Sequence, residues 1–248
     1  MKSTFLPVLL LLLLAAACHP EPELLVTPVI PATVYPTDTL PDLGQIHFND
    51  LQIGQRSRYV YFHIDEASNF ADTVIDYRPD TLVVVITGHD AAGFIVKEFI
   101  TRGSVSHDTA VNAVYAGDSI LTYRLRVDQD SLHFISQPPN TCWCTLSRIF
   151  LSPDQALPLA PIPAPQTTFL GWQTALYESP DYDTAYVENF LHWGQTFDRL
   201  NIVWDNRAIA YDGGRILFAY SASHGLVRWG YRSSWLQTTG HGWDLLPE

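Results

Sequence analysis

Thr81-Leu82-Val83-Val84-Val85-Ile86-Thr87-Gly88-His89-Asp90-Ala91-Ala92-Gly93-Phe94-Ile95-Val96-Lys97-Glu98-Phe99-Ile100 decides the fold of this chain. Its first seven residues are β-branched or apolar throughout, as in a strand buried on both faces. Gly88 to Gly93 is rich in residues that tolerate turn geometry, so the chain is expected to reverse there into Phe94–Ile100 as an antiparallel hairpin. The neighbouring stretches agree. Arg58-Tyr59-Val60-Tyr61-Phe62-His63-Ile64 is again aromatic and β-branched. Leu121-Thr122-Tyr123-Arg124-Leu125-Arg126-Val127 alternates, placing Leu121, Tyr123, Leu125 and Val127 on one face and both arginines on the other. Asp128-Gln129-Asp130 turns it into Ser131-Leu132-His133-Phe134-Ile135, and no amphipathic helix interrupts this half.

Prolines 153, 158, 161, 163 and 165 separate this half from an aromatic-rich second half that holds six of the seven tryptophans. The proline cluster reads either as a linker between domains or as a loop, 153–165, within one domain. The loop is favoured because neither half alone has a closed set of strands. Thr184 to Gln195 fits a short helix or an irregular strand, and periodicity does not separate them. Asp198–Trp204, Ile216–Tyr220 and Leu226–Trp229 read as strands, with turns at Asp212-Gly213-Gly214 and Gly225. Residues 235–246 are expected to be the most exposed part, because Thr238-Thr239-Gly240-His241-Gly242 is turn-like. The fold class expected is all-β: a curved antiparallel sheet or incomplete β-barrel with little helix, occupying residues 44–248 as a single β domain.

What precedes that domain is an address. One lysine, an unbroken apolar run from Phe5 to Ala17 and small residues before Cys18 have the layout of a secretory signal. The run is about two-thirds of the roughly 20 apolar residues that span a bilayer. With cysteine just after the cut, residues 1–17 resemble a bacterial lipoprotein signal, which implies a lipid-modified Cys18 at the new N-terminus. Residues 18–43 carry prolines at 20, 22, 28, 31, 36 and 41 and read as an extended tether.

Without residues 1–17 the chain keeps 13 basic residues against 26 acidic ones. That balance excludes a nucleic-acid partner, which needs clustered Lys and Arg, and an electrostatic grip on anionic lipid headgroups. Attachment to the membrane is left to lipid on Cys18, stable when two or more acyl chains are present. Cys142 and Cys144 remain. In an oxidising compartment they read as a small strained disulfide or inert thiols, with soft-metal and redox roles as alternatives that lack further local ligands.

Two passages together resemble a family. Leu51-Gln52-Ile53-Gly54-Gln55-Arg56-Ser57-Arg58-Tyr59 is similar to the opening strand, and Phe197–Trp204 with Leu217–Trp229 is similar to the closing hairpin, of uncharacterised outer-membrane lipoproteins common in Bacteroidota. The resemblance implies a curved sheet or incomplete barrel facing the periplasm or the cell surface, and no activity. The chain departs from it at Ser57, where an aromatic is usual, and in the proline insertion.

Chemistry-bearing constellations are sparse. His63 with Asp65 and Glu66, His89 with Asp90, and His107 with Asp108 offer metal-binding side chains, but neighbours on a strand point to opposite faces and chelate poorly. Ser221, Ser223 and His224 sit together before Gly225, where a hairpin corner explains them as well as a serine–histidine pair does. Asp181 and Asp183 lie in a proline-containing loop. Neither a nucleophile elbow nor a phosphate loop is present, so no cofactor, catalytic residue or metal is expected. Trp204, Tyr220 and Trp229 either fill the core or line a concave face for a hydrophobic ligand. The function expected is non-enzymatic binding of a hydrophobic ligand or an envelope protein. A hydrolase of envelope polymers using loop carboxylates and a structural accessory subunit are the alternatives.

Overall fold

A computed structural model of the chain describes residues 35–64, 75–100, 120–136, 155–162, 182–205, 215–232 and 240–248. These form eleven strands: β1 Arg56–Ile64, β2 Ile75–Asp90, β3 Gly93–Ile100, β4 Leu121–Asp128, β5 Ser131–Ser136, β6 Gln155–Pro158, β7 Tyr182–His192, β8 Gln195–Asp205, β9 Arg215–Ser221, β10 Gly225–Arg232 and β11 Gly240–Leu245. A single 3₁₀ turn, Pro36–Asp38, is the only helix among the described residues. All pairings are antiparallel, in the order β6-β5-β4-β3-β2-β1-β11-β10-β9-β8-β7. The two meanders, β1–β6 and β7–β11, thus join where β1 pairs with β11, and the proline cluster contributes an edge strand to the same sheet.

The sheet curls into a half-barrel, and side chains fasten its curl. Asn201 and Tyr220 stand opposite one another on β8 and β9, so they share a face. Both donate to the Pro158 carbonyl at the far edge of the sheet, Asn201 Nδ2 at 3.2 Å and Tyr220 Oη at 2.8 Å. Asn201 also donates to Ala160 O at 3.0 Å and accepts from Ile162 N, while Arg199 Nη2 reaches Ile162 O at 2.6 Å. An edge strand ending in proline has no amide to offer the next ladder there. Closure therefore runs through amide, phenol and guanidinium groups instead of backbone pairs.

One apolar core draws on all eleven strands, with Trp229, Trp243, Tyr61, Tyr220, Phe62 and Phe218 fully buried. A row of directly paired residues, Tyr61, Trp243, Trp229 and Phe218, crosses four adjacent strands on one face. Side chains of this size, stacked in register, leave the interior filled; removing one such group costs about 3–5 kcal/mol.

One expectation needs correction, and several open readings are settled locally. Residues 240–245 form a central, buried strand and not an exposed one. Gly242 is there for room: a Cβ would run into the Trp229 carbonyl and stand 2.7 Å from Gly230 Cα and 2.8 Å from Phe62 Cζ. Residues 182–192 are strand, with Asn189 in the left-handed region that asparagine tolerates. Within the stretch 18–43, the Tyr35 ring stacks on Phe99 at 4.7 Å, and Leu40 joins Tyr35 against Val83, Val85 and Phe99. Val127, on the same face as Tyr123 and Leu125 by alternation, is exposed near the end of β4, where those two are buried.

Candidate functional site

The β7–β8 hairpin turns on two residues, Trp193 and Gly194, both at positive φ, the geometry that matches strand twist. Its tip comes against β11 and β2, with His192 beside Asp244 and Trp193 on Tyr77. Arg228 and Asp244 are directly opposed there, and Gly230, Gly242 and Phe62 form the next row on the same face. Arg228 grips Asp244 through two nitrogens, Nε to Oδ1 at 2.5 Å and Nη2 to Oδ2 at 2.6 Å, and lies 5.2 Å above the Phe62 ring. Tyr77, opposite Phe62 on β2, donates its hydroxyl to Asp244 Oδ2 at 2.8 Å.

The hairpin tip covers this cluster with aromatic rings. Trp193 packs on Tyr77 at 4.8 Å, His192 on Trp193 at 5.4 Å, and Phe190 stacks on His192. His192 Nε2 stands 3.9 Å from Asp244 Oδ2, beyond hydrogen-bond reach, and makes no hydrogen bond. Burial pushes the His192 pKa below its ordinary value; Asp244 opposes that shift and Arg228 adds to it. Burial, then the Asp244 charge, raises the Tyr77 pKa. The cluster is thus an ion pair under a neutral imidazole. Asp244 has both oxygens committed, so it is an anchor and a poor base or nucleophile.

Leu191 and Trp193 project outward from the same tip, 67% and 45% exposed, with part of Tyr77 beside them. Sequence reasoning missed this group. Its signal was Trp193-Gly194, a two-residue turn between long β-prone runs, hidden by the ambiguous pattern of residues 184–195.

The corner between β9 and β10 does bring Ser221, Ser223 and His224 together. Both hydroxyls contact His224 Nδ1, at 3.2 and 3.0 Å, and the His224 amide donates to Ser221 Oγ at 3.1 Å. The His47 ring bonds the Ser223 carbonyl, and burial followed by His47 lowers the His224 pKa. Ser221 is occupied in closing the turn, and two hydroxyls share one imidazole nitrogen, so the group lacks the ordered donor chain of a nucleophile and base. Asp90, one of the acids beside a histidine, belongs to Arg124, and His89 packs edge-on to Phe94. Among the described residues no three His, Cys, Asp or Glu side chains gather as a metal ion requires.

Of the ligand-contact candidates, Tyr220 and Trp229 are fully buried, which fits the core-filling alternative. Trp204 stands on β8 opposite Leu217, with its side chain outside the described set. Cys18, Cys142, Cys144, Asp65, Glu66, His107, Asp108, Asp181 and the 212–214 turn also lie outside the described residues. A cleft of about 330 Å3 opens elsewhere, lined by Arg56, Arg58, Gln45 and Glu248 among others. No protein-family model matches this chain, and neither a curated protein nor a solved structure shows significant similarity to it.

Proposed function

We propose that the chain is a lipid-anchored envelope lipoprotein, attached to the outer membrane through Cys18, that binds a partner protein at the tip of the β7–β8 hairpin. The observation that carries this reading is the pairing of exposed Leu191 and Trp193 with a rigid base. Large apolar side chains on a turn are costly to expose, and here the turn is held over the buried Arg228–Asp244 pair. Anchored aromatics of this kind supply most of the energy of protein interfaces. The hydrophobic-ligand reading has less support, because Tyr220 and Trp229 are buried among the chain's own side chains.

The test is site-specific photocrosslinking in intact cells. A photoreactive residue at 191 or 193 is expected to give one discrete protein adduct, and the same residue at exposed Val127 none. With the photoreactive residue at 193, Leu191→Ser should weaken the adduct while moving stability by no more than about 0.5 kcal/mol, because Leu191 is 67% exposed. Equal labelling at 127 and 193, or a stoichiometric apolar mass retained in native mass spectrometry without any adduct, would overturn the proposal. Cys18→Ser should release the protein from the membrane fraction; retention would sink the lipid-anchor part alone.

A further inference from the structure

The charged cleft shows a different chemistry, independent of the hairpin tip. Gly44 has φ +82°, a left-handed turn that aims the Gln45 amide into the cleft, where it donates to Glu248 Oε1 at 2.8 Å. A Cβ on Gly44 would stand 2.9 Å from that oxygen, so glycine is what lets the acid seat. Gln45 Nε2 also donates to Leu246 O at 3.0 Å, steadying the segment that delivers Glu248.

Arg56 forms the inner wall. Its side chain is only 9% exposed, and Nη2 is spent on the carbonyls of Leu40 and Pro41 at 2.8 Å each. Its Nε makes no hydrogen bond; Asp42 Oδ1 stands off at 3.5 Å. A buried guanidinium N–H left without an acceptor is costly, and a carboxylate is the group that best matches it. Arg58, 57% exposed, stands at the mouth, 3.7 Å from Asp42. Asp42 thus faces both guanidinium groups, and Glu248 sits in the same cleft on the Gln45 amide.

We infer that this cleft is a carboxylate-binding site, with Glu248 as a built-in competitor that a ligand's carboxylate displaces. Glu248 is exposed and held in the cleft by a side-chain hydrogen bond, so it leaves at little cost. The incoming carboxylate takes the Gln45 amide and joins Asp42 at Arg56 Nε, which has an ion-pair partner but no hydrogen bond, with Arg58 closing over it. Such a group arrives either on a free dicarboxylate or on an acidic side chain of a peptide.

The probe is glutarate, titrated at constant ionic strength into the full chain in detergent micelles, with nitrogen-resolved NMR of the Gln45 amide and Arg56 Nε–H. Glu248→Gln is expected to bind glutarate about 10-fold more tightly than the wild type, as when a seat self-occupied about nine-tenths of the time is vacated. Adding Arg58→Gln should weaken that binding, and the neutral isostere glutaramide should move neither signal. A blocked tripeptide centred on Glu binding tighter than glutarate assigns the acidic-peptide source; the reverse assigns the free acid. Glutarate leaving both signals still in a well-dispersed Glu248→Gln spectrum would overturn the site. Equal affinity in the two proteins would overturn the competitor role of Glu248.

Discussion

Two hairpins of this sheet are fastened by the same arginine–aspartate chemistry in opposite surroundings. At the β2–β3 turn, Asp90 closes the turn onto the Ala92 amide and receives Arg124 of β4 at 2.5–3.1 Å, yet its side chain is 38% exposed. At the β7–β8 tip, the Arg228–Asp244 pair has equally short contacts and no solvent. Water screens the first pair and discounts its value; burial makes the second indivisible, because either partner alone would be a charge stranded in the core. The tips differ accordingly. Ala91 and Ala92 offer little to a partner, whereas Leu191 and Trp193 stand out from a base that cannot yield.

The largest expected effect breaks the buried pair. Asp244→Ala should lose about 3–5 kcal/mol in urea unfolding, because Arg228 is left uncompensated. Asp90→Ala should lose much less, and that loss should shrink as salt is added. Replacing both partners, Arg228→Met with Asp244→Leu, should recover most of the stability lost in Asp244→Ala. Similar losses at positions 244 and 90 would erase the distinction between the pairs.

The next effect compares the two turn glycines. Gly93 has φ +135°, and a Cβ there would strike the Leu125 carbonyl, so Gly93→Ala should destabilise by about 1–3 kcal/mol or more from crowding, with backbone strain added. Gly194 has φ +78° with open space around it, leaving only the left-handed strain of about 1–2 kcal/mol. A Gly194→Ala loss as large as that of Gly93→Ala would mean that the second tip is packed more tightly than its surroundings indicate.

The smallest effect is a separation in pH. His192 has a depressed folded pKa, so its contribution is complete above the unfolded value of about 6.5 and falls as acid protonates the unfolded imidazole preferentially. Protection of the Gly194 and Gln195 amides, taken relative to the intrinsic exchange rate at each pH, should fall on acidification through pH 6, and His192→Gln should flatten that response. Asp90 is held down to about 2 by Arg124 and the Ala92 amide, so its contribution is complete above about pH 4 and disappears only as pH falls toward 2. If both hairpins loosened in the same pH window, the assignment of these two groups would be wrong.

The β2–β3 hairpin was legible because its signals are local. Val83 to Ile86 can be nothing but a buried strand, and the turn that follows, which the structure narrows to Ala91 and Ala92, is flanked by its own chemistry in Asp90 and Gly93. The all-β class, the strands from Arg58 to Ile135 and the Gly225 turn follow from composition and period-two alternation in the same way. The β7–β8 tip was not legible, since Asn189 and Trp193 adopt left-handed conformations that no alternation rule anticipates. Gly240-His241-Gly242 misled for a related reason. Its glycines read as a turn, but Gly242 is a spacer that admits the Phe62 ring and the Trp229 carbonyl from strands distant in sequence.

Sequence by itself determined which segments pair locally and that their shared apolar face must be buried, because alternation and turn propensity act over a few residues. Tertiary structure alone decided which side chains meet. Arg228 finds Asp244 and Tyr77 only once β11 is inserted between β1 and β10, Asn201 and Tyr220 reach Pro158 only once the sheet has curled, and Glu248 meets Gln45 only after some 200 residues have been wound between them. Those contacts depend on register and curvature summed over eleven strands, quantities that no short stretch of the chain encodes.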